Sequence, residues 1–166
     1  MNEVVALFRK ISLGVYVIAV SDGRTQDAFT AASITQVSYE PLLLSLAINP
    51  EHASYKLLLA GKGWTVSVLR DDQMEWARRF GVRSLRDSDK IQGVRWARAN
   101  SQLPFLEQAL AYFDCRLEAE YPAGDHRVVL GRVIGGAVMA SDAGSKPLLY
   151  ADTGDLDQSA ALYPRH

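Results

Sequence analysis

The chain has a single cysteine in 166 residues, Cys115, so neither an internal disulfide framework nor a multi-thiolate metal site is open to it. A reducing, cytoplasmic setting is expected. No uninterrupted apolar run approaches the ~20 residues of a membrane-spanning helix. Residues 1–10 also lack the apolar core and small-residue cleavage site of a secretory signal, and acidic Glu3 precedes the first basic residue. Neither charge is in excess: 18 Lys and Arg stand against 19 Asp and Glu, scattered along the chain. Nucleic acid and anionic membranes are therefore not expected partners. Several catalytic signatures are missing too. No Gly-x-Gly-x-x-Gly follows a strand, no Gly-x-Ser-x-Gly elbow is present, and Lys56 stands where a phosphate loop ahead of Gly61-Lys62 needs its first glycine. His52, His126 and His166 are too dispersed to define a metal site. Asp152, Asp155 and Asp157 lack the glycine and distal glutamate of a calcium loop, so no metal is expected.

What is present is enough apolar residue, 48%, for one domain over residues 1–166 that buries roughly 70% of its unfolded surface. Val4, Val5, Leu7, Phe8 and Ile11 suggest an opening helix ended by Gly14. Residues 15–20 read as a strand, Ser21-Asp22-Gly23 as a hairpin turn, and residues 28–33 as its partner. Residues 42–48 are almost continuously apolar, as in a central strand buried on both faces. After Asn49-Pro50, either Asn49 or Ser54 is placed to cap a helix that stops at Gly61. Residues 64–69 suggest a strand and residues 73–80 a helix capped by Asp71 or Asp72. Residues 81–93 read as a loop, residues 106–112 as a helix-like turn, and residues 115–121 as a half-buried strand with Cys115 inward. Ala123-Gly124-Asp125 is the next turn, residues 126–139 a strand bent at its glycines, and residues 147–150 a last short strand before an acidic tail. Many short strands and few helices predict a mainly β, α+β barrel.

The stretch over residues 29–38, Phe-Thr-Ala-Ala-Ser-Ile-Thr-Gln-Val-Ser, is rich in small and hydroxyl side chains but lies between two buried strands. Thr30, Ala31, Ala32 and Ser33 leave the backbone accessible to a flat polar ligand; a polar edge strand or hydroxyl-stabilised turn is the alternative. A strand running into a helix N-terminus at residues 49–54 is a ready anion site. The arginines near residues 78–86 read either as a solvated surface or as phosphate ligands. Cys115 reads as an inert core thiol.

Residues 14–18 (Gly-Val-Tyr-Val-Ile), Asp22-Gly23, the 29–38 stretch, Pro41-Leu42-Leu43 and Ala47-Ile48-Asn49 resemble, in this order, the opening of the flavin reductase-like, FMN-binding split-barrel family. Residues 110–117, 124–133, opening Gly-Asp-His, and 147–150 resemble its second half. The resemblance implies a homodimeric split β-barrel with short peripheral helices that holds FMN or FAD and takes hydride from NAD(P)H. Thr30, Ala31, Ala32 and Ser33 then match the segment that contacts the flavin ring. Asn49 and Ser54 match the segment that holds its phosphate, and Phe80 and Arg83 the loop that covers it. His126 matches a histidine near flavin and nicotinamide and is the catalytic candidate. Acidic Glu51 and the tail after Tyr150 depart from the family pattern. Two functions remain open: a flavin reductase, possible supplier of reduced flavin to a partner monooxygenase, and a flavin-binding electron carrier reduced by a protein instead of by NAD(P)H.

Overall fold

The computed structural model describes residues 3–81, 87–139, 144–156 and 158–163; Arg83, Asp157 and His166 lie outside them. In chain order these form α1 (Glu3–Phe8), β1 (Tyr16–Ser21), β2 (Gln26–Ala31), β3 (Ile34–Tyr39), β4 (Leu42–Ile48), α2 (Ala53–Gly61), β5 (Gly63–Val68) and α3 (Met74–Gly81). There follow α4 (Asp87–Ile91), β6 (Trp96–Arg98), β7 (Pro104–Leu106), β8 (Ala111–Ala123) and β9 (His126–Val138), then 3-10 turns at Tyr150–Thr153 and Ser159–Leu162. Seven strands make one sheet in the order β2-β1-β5-β8-β9-β4-β3, and every neighbouring pair is antiparallel.

That order dictates the shape. Only Ala32 and Ser33 separate β2 from β3, which stand at opposite edges. In a flat sheet those edges would be about 30 Å apart, at ~4.8 Å per strand. The linking residues reach roughly 10 Å at most. The sheet must therefore roll until its edges meet, giving a β-barrel split along a seam at Ala32-Ser33.

Alternation along each strand sorts side chains to the two faces. Ile18, Val20, Leu44, Leu46, Ile48, Trp64, Val66, Cys115 and Val129 fill the barrel. The opposite face of β1 sends Val17 and Ala19 into an outer layer with Ala77 and Phe80 of α3, Leu106 and Leu148. β1 is thus covered on both sides. Trp64 sits opposite Cys115 in the β5/β8 ladder. A Cβ built on Gly131 of β9 would lie 2.5 Å from the indole Cη2 and 2.9 Å from the Cys115 Cβ, so the large ring fits only because Gly131 has no side chain. Burial, with a lesser push from the Asp114 charge, drives the Cys115 thiol up to about 12, which keeps it protonated and inert at neutral pH.

Local chemistry differs from expectation at several points. β4 is not buried on both faces: Leu44, Leu46 and Ile48 are buried but Leu43, Ser45 and Ala47 of the opposite face are only half-buried, because the helices pack chiefly over β1, β2 and β5. α2 is capped by His52, whose Nδ1 accepts the Ser54 N–H at 3.3 Å, and it ends on Lys62 in the left-handed region at φ 55°. Gly61 serves a different need. A Cβ there would meet the Ser21 carbonyl oxygen at 2.0 Å, so it permits the close approach of α2 to β1. Residues 81–93 include α4, and residues 106–112 hold the end of β7 and the start of β8, pinned where the Leu110 N–H donates to the Val68 carbonyl. α3 has neither aspartate as cap; the Gln73 side chain accepts from the Arg70 N–H instead. Residues 147–150 make two isolated bridges, Gly14 to Leu149 and Arg70 to Pro147, before the chain tightens into a 3-10 turn. Among the described residues, no helix is long and apolar enough to cross a membrane.

Replacing Gly131 by Ala should lower unfolding stability by about 1–3 kcal/mol, since the added methyl meets a ring held on all sides. Urea unfolding followed by tryptophan fluorescence measures it; an unchanged midpoint would show that the indole has room to move.

Candidate functional site

The seam opens into a cleft of about 250 Å³. Thr30, Ala31, Ser33, Asn49, Phe80 and His126, singled out from four separated parts of the sequence, all line it. Ala32 lines a smaller hollow shared with Thr30 and Ala31. Ser54 is fully buried and lines neither. A larger hollow of about 510 Å³ runs along β8 past Arg116, Glu118 and Glu120, but it contains none of the candidate residues.

Hydrogen bonding defines what the seam can offer. The Thr30 hydroxyl donates to the Ala77 carbonyl of α3 at 2.8 Å, and the Ser33 hydroxyl donates to the Ala47 carbonyl of β4 at 3.2 Å. Each hydroxyl has one hydrogen, so both keep only acceptor lone pairs toward the cleft. The donors are in the backbone instead: among the described residues, the N–H groups of Ala32 and Ser33 have no hydrogen-bond partner. They fall between two edge strands, where the ladder ends on both sides. A planar ligand carrying acceptors along one edge and an N–H near them matches this set.

Four N–H groups at the entry to α2, those of Glu51, His52, Ser54 and Tyr55, are bonded within the chain. Asn49 accepts the Glu51 N–H on Oδ1 and the His52 N–H on its carbonyl, and the His52 carbonyl accepts the Tyr55 N–H. The Ser54 hydroxyl donates to Oδ2 of buried Asp27, whose Oδ1 accepts the Ala28 N–H at 2.8 Å. Ser54 therefore solvates an internal carboxylate. Because His52 Nδ1 accepts a hydrogen bond, its proton is on Nε2; the ring packs against Phe29 with centroids 5.3 Å apart and lines the cleft.

The β8/β9 hairpin brings His126 to the cleft through a turn in which Gly124 takes φ 64°. Its Nδ1 lies 2.8 Å from Asp125 Oδ1. The hydrogen bond from His126, and secondarily its charge, hold the Asp125 carboxyl below the usual carboxylate range. An ionised carboxylate only accepts, so Nδ1 carries a proton and Nε2 is the nitrogen left for a ligand. Phe80 is 1% exposed, stacked on Trp76 at 6.1 Å and edge-on to Trp96 at 5.8 Å, so it is a rigid wall.

Four lining residues had no sequence signal: His52, Lys90, Leu156 and Leu162. Histidine is not a usual helix cap. Lys90 lies where the pattern suggested loop. The two leucines come from the tail, which is tied to α1 by an Arg9–Asp155 ion pair at 3.2 Å and by Phe8 against Tyr163 at 5.5 Å.

Residues 8–157 match the family model described as "Flavin reductase like domain". The high molecular weight rubredoxin of Moorella thermoacetica is 28% identical over 143 residues, 85% of this chain, and the chain spans 61% of that protein's length. The reductase subunit HsaB of a flavin-dependent monooxygenase from Rhodococcus jostii is 31% identical over 137 residues, 82% of this chain and 67% of HsaB. Among solved structures, the Streptomyces globisporus NADH:FAD oxidoreductase SgcE6, in complex with NAD and FAD fragments, superposes with a TM-score of 0.80. It is 28% identical, over 91% of this chain and 88% of that one.

Replacing Ser54 by Ala strips the buried Asp27 carboxylate of one donor and should cost about 1–3 kcal/mol of stability. Thermal or urea unfolding will read this; a variant as stable as the parent would mean that Asp27 finds another donor.

Proposed function

Since the chain belongs to the flavin reductase-like family, we propose that it is an NAD(P)H-dependent flavin reductase, binding FMN or FAD in the seam cleft and reducing it by hydride transfer. The observation that carries this reading is the meeting of Thr30, Ala31, Ser33, Asn49, Phe80 and His126 in one cleft, beside two backbone N–H groups without partners. The Ala32 and Ser33 N–H groups would hold the ring's acceptor edge, and the Thr30 and Ser33 oxygens would accept its N–H. Phe80 would confine the ring, and Leu156 and Leu162 would exclude water from its face. Bound flavin supplies the two-electron acceptor that a nicotinamide hydride needs.

The protein's part is then mainly positioning, because hydride transfer depends on two rings held at near contact. His126 is suited to it. With Nδ1 fixed on Asp125, the neutral ring presents Nε2 as an acceptor for a carboxamide N–H, and the protonated ring presents it as a donor. Asp125 fixes the ring's orientation in both states.

A possible monooxygenase partner follows from the likeness to HsaB, named as the reductase subunit of such an enzyme. The chain would act as a homodimer: edge strand β3 leaves Val37 51% and Tyr39 87% exposed, an apolar surface that a second copy would cover. A second reading, an electron carrier reduced by a protein, is favoured by one observation, the likeness to the Moorella rubredoxin.

Anaerobic mixing of flavin-loaded protein with NADH or NADPH should bleach the flavin's visible band. Absence of bleaching with both donors would leave the electron-carrier reading. His126→Ala should slow bleaching by about 10- to 100-fold, a barrier increase of about 1.4–2.7 kcal/mol, with flavin affinity little changed; an equally fast variant removes His126 from the mechanism. Sedimentation should give roughly twice the 18.3 kDa chain mass, and a flavin-loaded monomer would refute the dimer.

A further inference from the structure

We propose that residues 151–156 and 158–163 form a strap closed over the seam cleft and latched to α1 by the Arg9–Asp155 ion pair, so that ligands enter and leave only when the latch opens. The ligands are those of the flavin reading above, on which this proposal rests. Leu156 and Leu162 of the strap line the cleft, and Leu156 and Thr153 also line the smaller hollow beside Thr30, Ala31 and Ala32. The other lining residues belong to the barrel strands, the seam, the entry to α2, and α3 and α4, both of which pack on β2. The strap is thus the wall that can move.

Its root is fixed in the body of the protein. Leu148 is buried and its N–H donates to the Leu69 carbonyl, and the Tyr150 N–H donates to the Leu13 carbonyl at 2.8 Å. Beyond Tyr150, among the described residues, hydrogen bonds stay within the tail, as from the Thr153 hydroxyl to the Tyr150 carbonyl and from the Gln158 N–H to the Asp155 carbonyl, or come from Arg9. Asp155 Oδ1 accepts both the Ala160 N–H at 3.3 Å and the Arg9 guanidinium at 3.2 Å, so one carboxylate shapes the strap and fastens it. Phe8 against Tyr163 adds a contact between the same two elements. The Asp155 side chain is 48% exposed, and an exposed ion pair is a weak hold that salt screens. A segment held in this way opens without unfolding the barrel beneath it.

Size makes opening necessary. With the strap in place the cleft measures about 250 Å³, under the roughly 300–1,000 Å³ of pockets that enclose drug-sized ligands, whereas hydride transfer needs two stacked rings. The barrel side has no room to give: the Thr30 hydroxyl is tied to the Ala77 carbonyl, and Phe80 is wedged between Trp76 and Trp96. Leu162, by contrast, is 67% exposed even as it lines the cleft. Space for a second ring comes from displacing Leu156 and Leu162, and the latch then sets how often the cleft is open.

Riboflavin is the probe, because it carries no charge and added salt then acts on the latch instead of on the ligand. Stopped-flow fluorescence quenching gives its association and dissociation rates for the parent, Asp155→Asn, Arg9→Gln and the double variant. Asp155→Asn keeps an oxygen for the Ala160 N–H and so removes the ion pair alone. Each single variant should raise both rates about 2- to 5-fold, the range of an exposed ion pair, with the dissociation constant held within about 2-fold and the double variant no faster than either single. About 1 M NaCl should bring the parent's rates toward those of the variants. Unchanged rates overturn the proposal, as does faster dissociation with association unaltered, which is the mark of a lost wall contact. A second measurement needs no flavin: Cys115 is buried and inert, so a Leu156→Cys thiol is the one that a disulfide reagent such as dithionitrobenzoate reaches. Its modification should quicken when Asp155→Asn is added, and equal rates overturn the strap. A parent protein that binds no riboflavin refutes the flavin reading, and the thiol rates then decide the strap by themselves.

Discussion

The molecule depends on a closure constraint: the two edge strands of a seven-stranded sheet are consecutive in the chain and joined by two residues. Rolling the sheet satisfies that connection, but it leaves β2 and β3 without a common ladder. The interior created by the roll must then be filled. Trp64 does this, against the Cα of Gly131, so the size of one side chain and the absence of another are set by the same curvature. A flat sheet would need neither.

The seam also explains why the site is polar in the way it is. Where a ladder stops, peptide groups lose their partners, and the protein satisfies some of them and leaves others open. Thr30 and Ser33 turn their hydroxyl hydrogens back onto α3 and β4, bracing the seam from both sides. That leaves the Ala32 and Ser33 N–H groups as donors fixed by rigid strands on either flank. Small side chains at these positions keep the donors reachable. One sequence feature thus closes the barrel and leaves reachable donors at the same place.

The strands were legible because their signals are local. β1 and β5 are apolar runs with β-branched residues, and the Asp22-Gly23 turn is visible as Asp22 Oδ1 accepting the Arg24 and Thr25 N–H groups at 2.8 and 2.7 Å. The cleft was legible through its family motifs, which lie on elements that the fold brings together. What escaped notice is tertiary in origin. β4 reads as buried on both faces from composition, but burial of its outer face needs a covering layer that the helices do not provide. Ser54 reads as a phosphate ligand from its place at a helix start, yet its hydroxyl is directed by Asp27, 27 residues away in the chain. Nothing near Ser54 in the sequence indicates that carboxylate. His52 escaped for a related reason, since an imidazole caps a helix only when its ring is held, here against Phe29.

The placement of charge around the cleft follows from the same internal commitments. Asp27 and Ser54 are buried together where β2 meets α2, and the carboxylate takes its hydrogen bonds from within the chain. On α3, Arg79 is committed in the same way, to the carbonyls at the end of α4. Ser54 and Arg79 thus spend their donors inside the chain, and the elements around the cleft are braced by bonds that no ligand has to supply.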